Sequence, residues 1–144
     1  IDLSGSMDIN DMRYQNQPIS RLQAIDAVAK QFIAARAGDQ LGLIVFGTRA
    51  YLLTPMTFDR NIVVRMLDEM SVGLAGPTTA IGDAIGLAVK KLQNVPEQSR
   101  VLILLTDGVN NSGDLAPLRA ARLAKDYHVK IYTIGFGANR IAVP

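Results

Sequence analysis

The 144-residue chain contains no cysteine, no tryptophan and a single histidine, His128. The missing cysteines exclude disulfides, thiolate metal centres and a cysteine nucleophile. With four Phe, four Tyr and no Trp, there is little to stack on nucleic-acid bases. Charge is sparse as well: charged residues make up 19% and the net charge is +2. The basic residues Arg13, Arg21, Lys30, Arg36, Arg49, Arg60 and Arg65 form no run. That speaks against a phosphate-binding stripe, and no nucleic-acid partner is expected. No apolar run reaches the roughly 18 residues that span a bilayer. The chain starts at Ile1, without Met and as if inside a strand, and stops at Pro144 just after another. It is therefore expected to be one domain over 1–144, truncated at its ends and cut from a longer protein.

Apolar residues make up 49% of the chain, enough for a sizeable core. "LGLIVF" (41–46), "RVLILLT" (100–106) and "VKIYTIGFG" (129–137) are short runs rich in Val, Ile and Leu with little alternation. Such runs suit parallel strands covered on both faces. "AYLLTPMT" (50–57) reads as an edge strand, because Pro55 cannot donate a ladder hydrogen bond, and a hairpin at Gly47-Thr48 joins it to the run before. Amphipathic helices are expected in "SRLQAIDAVAKQFIAA" behind an N-cap at Ser20, and in "DRNIVVRMLDEM" behind Asp59. Two more are expected in "TAIGDAIGLAVKKLQ" and "DLAPLRAARLAKDY". The alternation predicts a doubly wound α/β fold with a mostly parallel sheet and helices on both faces.

In open α/β sheets ligands bind beyond the carboxyl ends of the strands. The polar residues at those ends are Asp2, Ser4 and Ser6 after the first strand and Asp107 after the run at 100–106. Thr78, Thr79 and Asp83 stand before the third helix. Gly5, between the two serines, would let the backbone turn so that both hydroxyls face one ion. The set is all oxygen, which suits hard cations such as Mg²⁺, Mn²⁺ or Ca²⁺ better than Zn²⁺. Taken singly, each element has a plainer reading: a capped turn for Asp2–Ser6, a tight turn at Asp107-Gly108, an N-cap at Thr79. Asp8, Asn10 and Asp11 form a weaker second cluster that reads as a solvated loop, and His128 reads as a surface residue.

"DLSGSM", "GPTTAIGDAI" and "LLTDGVNN" resemble the three parts of the metal-ion-dependent adhesion site of von Willebrand factor type A domains, which integrin I domains also carry. "GDQLGLIVFG" and "VKIYTIGFG" resemble that family's second and fifth strands, and "RVLILLTDGVNN" is most similar to the bacterial Bat aerotolerance proteins. The resemblance implies a Rossmann-like domain that is not an enzyme and binds a divalent cation. Ser4 and Ser6 would touch the ion, Thr79 would join in the ligand-bound form, and Asp2 and Asp107 would act through ordered waters. It further implies a partner protein that presents an Asp or Glu, a parent anchored in a bacterial inner membrane, and a MoxR-type ATPase system.

Two other classes compete. A phosphatase of the haloacid dehalogenase type needs an acid two residues after its nucleophile, where this chain has Ser4. A structural domain with a vestigial site would not respond to cations. No Walker A loop and no G-x-S-x-G elbow is present.

Overall fold

The computed structural model describes residues 1–137. The end of the chain at Pro144 lies outside them. The elements run in the order β1 (Met12–Tyr14), β2 (Gln17–Ile19), α1 (Arg21–Ala34), β3 (Leu41–Phe46), β4 (Ala50–Thr57), α2 (Arg60–Asp68), α3 (Ile81–Leu92), β5 (Val101–Thr106), α4 (Pro117–Asp126) and β6 (Lys130–Gly135).

The opening residues knit the sheet together. Phe46 donates its N–H to Ile1 O (2.9 Å) and Leu3 donates to Phe46 O (2.7 Å), so 1–3 lie parallel to β3. On the other side Asp2 donates its N–H to Leu105 O at 2.9 Å. β5 pairs with β6 in parallel, and β3 pairs with β4 antiparallel. The order across the sheet is thus β4, β3, residues 1–3, β5, β6. The antiparallel member is at the edge, as Pro55 predicts.

Alternation along the strands loads both faces. Leu43, Val45 and Leu105 point into one core with Ile25 and Ile33 of α1 and Val63 and Leu67 of α2. Phe46 and Leu104 point into the other, with Ala84, Ile85, Val89 and Leu92 of α3 and Ala120 and Ala124 of α4. Helices therefore cover both faces, which is the doubly wound arrangement. Leu3, Met7, Ile25 and Val89 are completely buried.

Local chemistry starts each helix. The Ser20 side chain accepts from Gln23 N–H while the Gln23 side chain accepts from Ser20 N–H, a complete capping box for α1. Asp59 accepts from Asn61 and Ile62 N–H and so caps α2. α4 begins with Pro117 at its first turn, where the absent N–H leaves nothing unsatisfied. It ends on a Schellman pattern, with Val129 N–H to Ala124 O at 2.8 Å and His128 N–H to Lys125 O at 3.0 Å. His128 holds the left-handed position (φ 56°) and is exposed.

One feature departs from the sequence reading. Residues 12–19 form a β-hairpin, with Met12 opposite Ile19, around a turn in which Gln15 and Asn16 both have positive φ.

Candidate metal centre

Four segments meet at the carboxyl ends of the central strands. The first is Asp2–Ser6, which runs into a 3₁₀ turn over Gly5–Asp8. Gly5 lacks positive φ, and a Cβ there would sit in ordinary contact 3.6 Å from Pro77 O. The turn does not depend on glycine at this position; the 3₁₀ hydrogen bond from Met7 N–H to Ser4 O (3.0 Å) makes it. The second segment is the loop before α3, held to the first by Gly5 N–H donating to Pro77 O at 3.0 Å. The third is the end of β5 with Thr106 to Asn111. The fourth is the start of α1 at Arg21.

Asp2 is fully buried. Its Oδ1 accepts from Ser4 N–H at 2.9 Å and its Oδ2 from the Thr106 hydroxyl at 2.6 Å. Both oxygens are thereby engaged, which lets a carboxylate persist without solvent. Ser4 Oγ lies 3.3 Å from Ser6 Oγ, and Ser6 Oγ donates to Asp107 Oδ1 at 2.9 Å. Ser4, Ser6 and Asp107 thus form one line of oxygens in front of Asp2. The Asp107 side chain is fully buried, and its second oxygen accepts from Arg21 Nη1 at 2.6 Å.

Thr79 is 4% exposed. It and Asp2 both border Gly108: a Cβ there would lie 3.6 Å from Thr79 Oγ1 and 3.9 Å from Asp2 Oδ2. The five residues singled out from the sequence are therefore clustered. Thr78 and Asp83 take other roles. The Thr78 hydroxyl joins Thr48 and Ser112, each at 2.8 Å. The Asp83 carboxylate accepts from Asp114 and Leu115 N–H and fixes the loop ahead of α4.

Four further residues shape the site. Thr106 bridges Asp2 to Gly108 N–H. Asn110 Oδ1 accepts from Ile81 N–H at 2.8 Å and Gly82 N–H at 3.4 Å, so it caps α3 from a different loop. Asn111 Oδ1 accepts from Thr79 N–H at 2.8 Å. Arg21 donates to Asp107 through Nη1 and to Asp11 through Nε (2.9 Å) and Nη2 (2.6 Å). These ion pairs hold its guanidinium pKa above an already high ordinary value.

The family model for the von Willebrand factor type A domain matches residues 1–142. The chain belongs to that family. An uncharacterized membrane spanning protein from Vibrio fischeri is 51% identical, over 94% of this chain and 66% of its own, with a TM-score of 0.63. An aerotolerance-related membrane protein from Bacteroides fragilis is 27% identical, over 96% of this chain and 66% of its own, with a TM-score of 0.85. A proximal thread matrix protein from the mussel byssus, whose structure has a zinc-occupied MIDAS motif (metal-ion-dependent adhesion site), shares the fold at 21% identity. It covers 95% of this chain and 36% of its own, with a TM-score of 0.76. The chain spans about two fifths of the length of the curated relatives it matches.

The residues of this von Willebrand factor type A domain fit a small hard cation. Neighbouring oxygens around an octahedral ion with bonds of about 2.1 Å stand about 2.9 Å apart, and the larger shell of Ca²⁺ widens this to about 3.4 Å. The Ser4 and Ser6 hydroxyl oxygens, 3.3 Å apart, fall within that range. Among the described residues no three Asp, Glu or His side chains gather as a metal-holding group; the oxygens brought together are the Ser4 and Ser6 hydroxyls with Asp107.

Proposed function

We propose that this domain is a non-enzymatic, cation-dependent interaction module that binds one Mg²⁺, Mn²⁺ or Ca²⁺ and, through it, a carboxylate of a partner protein. The line of oxygens from Ser4 through Ser6 to Asp107, in front of fully buried Asp2, carries this reading. When bound, the ion supplies a positive charge with exchangeable positions. The protein's part is to present neutral hydroxyls to it. Asp2 is engaged by Ser4 N–H and Thr106, and Asp107 by Ser6 and Arg21, so neither carboxylate is free to quench the ion's charge alone. An ion held this way favours one more anionic ligand, and a partner Asp or Glu gains a charge-assisted contact by displacing water. Thr79, which borders Gly108 as Asp2 does, would close on the ion when that ligand arrives.

Nothing in the cluster suits hydrolysis. The position two after Asp2 is Ser4, which is no acid at neutral pH, and His128 lies on the surface at the far end of α4. Zinc fills the motif of the mussel protein, and here it serves as a competitor in titrations. The membrane-protein neighbours support a membrane-anchored parent, although no helix among the described residues is long and apolar enough to cross a bilayer; a MoxR-type ATPase as its working partner rests on the likeness to Bat proteins alone.

The test is capture of a partner by the full-length protein in Mg²⁺ and its release by EDTA, followed by an alanine scan of the partner's acidic residues. One Asp or Glu should be indispensable. If capture persists in EDTA, or no single acid matters, the mechanism is wrong.

A further inference from the structure

Arg21 is an unusual residue for its position. It is the first residue of α1, directly after the N-cap Ser20. The aligned peptide dipoles make the helix start electropositive, and a cation is disfavoured there. Two carboxylates compensate. Nη1 donates to Asp107, and Nε and Nη2 fork onto Asp11. The three side chains are 16%, 0% and 10% exposed for Arg21, Asp107 and Asp11, so solvent screens these pairs little.

Orienting Asp107 does not require Arg21. Asp107 is held from the other side by the Ser6 hydroxyl and lies at the end of β5, packed away from solvent. What Arg21 adds is charge. Asp107 is one of the two carboxylates of the cluster, and Arg21 sets a positive charge 2.6 Å from it. That charge repels a cation approaching the same cluster.

We propose that Arg21 is a built-in counter-cation that stabilises the metal-free site and holds its cation affinity down, so that Asp11, through Arg21, tunes a site it does not enter. This rests on the cation-binding reading above. A site restrained in this way binds its ion reversibly and leaves part of the binding energy to the partner's carboxylate.

The experiment is calorimetric titration of Mg²⁺ into the EDTA-stripped full-length protein, with melting of the metal-free form alongside. Arg21→Gln should bind Mg²⁺ about ten-fold more tightly, the scale of one charge acting on a nearby divalent ion in a screened site, while its metal-free form melts lower. Arg21→Lys, which keeps the charge and loses the fork, should stay within about three-fold of wild type. Asp11→Asn, which leaves Arg21 less compensated, should bind more weakly. A purely structural role would weaken binding in Arg21→Gln and Arg21→Lys alike. Unchanged or weaker binding by Arg21→Gln, with normal binding by wild type, overturns this inference alone. Absence of binding by wild type and all variants overturns the cation reading and this inference together. If Arg21→Gln does not fold, Arg21→Met is titrated in its place: tighter binding than wild type supports the inference, and unchanged or weaker binding overturns it.

Discussion

Replacing Asp107 with alanine affects the metal-free protein and the cation-bound protein by different routes. In EDTA the variant loses the ion pair to Arg21 and the acceptor for the Ser6 hydroxyl. Breaking a fully buried pair costs about 3–5 kcal/mol. Arg21 is 16% exposed and keeps its two bonds to Asp11, so about half of that applies, roughly 1.5–2.5 kcal/mol. The stranded Ser6 hydroxyl, only partly buried, adds about 1 kcal/mol. The expected loss is about 2.5–3.5 kcal/mol, or roughly 5–14 °C in melting temperature for a chain of this size. Urea unfolding followed by circular dichroism in EDTA measures it. The second route appears when Mg²⁺ is added. Wild type should gain about 2.7 kcal/mol at a hundred times its dissociation constant, and Asp107→Ala should gain almost nothing. A metal-free loss under about 0.5 kcal/mol would refute the reasoning, because the residual would be that of an ordinary exposed pair.

Three other changes probe the scaffold around the site. Asn110→Ala should cost about 1–2 kcal/mol in urea unfolding, since the first turn of α3 loses its acceptor for two N–H groups, and a cost near zero would remove Asn110 as a cap. Gly82→Ala should cost at least about 1–3 kcal/mol, because its Cβ would fall 1.8 Å from Leu115 O where α3 and α4 pack; a neutral outcome would show that contact to be absent. His128→Gly should raise stability by about 0.5–1 kcal/mol, as glycine takes the left-handed position at the end of α4 without strain, and a destabilised variant would contradict the Schellman geometry.

The sequence exposed most of the fold because most of it is local. β3 and β4 coincide with their apolar runs, and the caps at Ser20 and Asp59 are set by side chains within three residues. The candidate site was legible for a different reason: strand ends in an α/β sheet converge, which brings Asp2–Ser6 and Asp107 together, whereas Thr79, between two helices, was picked out by its likeness to the family motif. The hairpin at 12–19 escaped because its three-residue strands carry Arg13, Tyr14, Gln17 and Pro18 with no apolar alternation, and its turn uses Gln15 and Asn16 without glycine. Asn110 escaped, and Asp83 was named but not in its role, because each satisfies backbone groups about 30 residues away, which no local pattern encodes. Arg21 did leave a trace, a cation at a helix start where the dipole disfavours one. Its two partners, ten and 86 residues distant, became visible only in the fold.

The central claim is that serine hydroxyls at the strand ends bind the ion, and the direct measurement compares Mg²⁺ titrations of the EDTA-stripped full-length wild type and its Ser4→Ala/Ser6→Ala variant by calorimetry. The variant leaves Asp2 buried with its bond to Thr106 and leaves Asp107 paired with Arg21, so the fold and the carboxylates stay in place. The account predicts one Mg²⁺ bound at the site in wild type and at least a hundred-fold weaker binding in the variant. Equal affinity in the two proteins, or no heat and no thermal stabilisation in wild type at millimolar Mg²⁺, would contradict it.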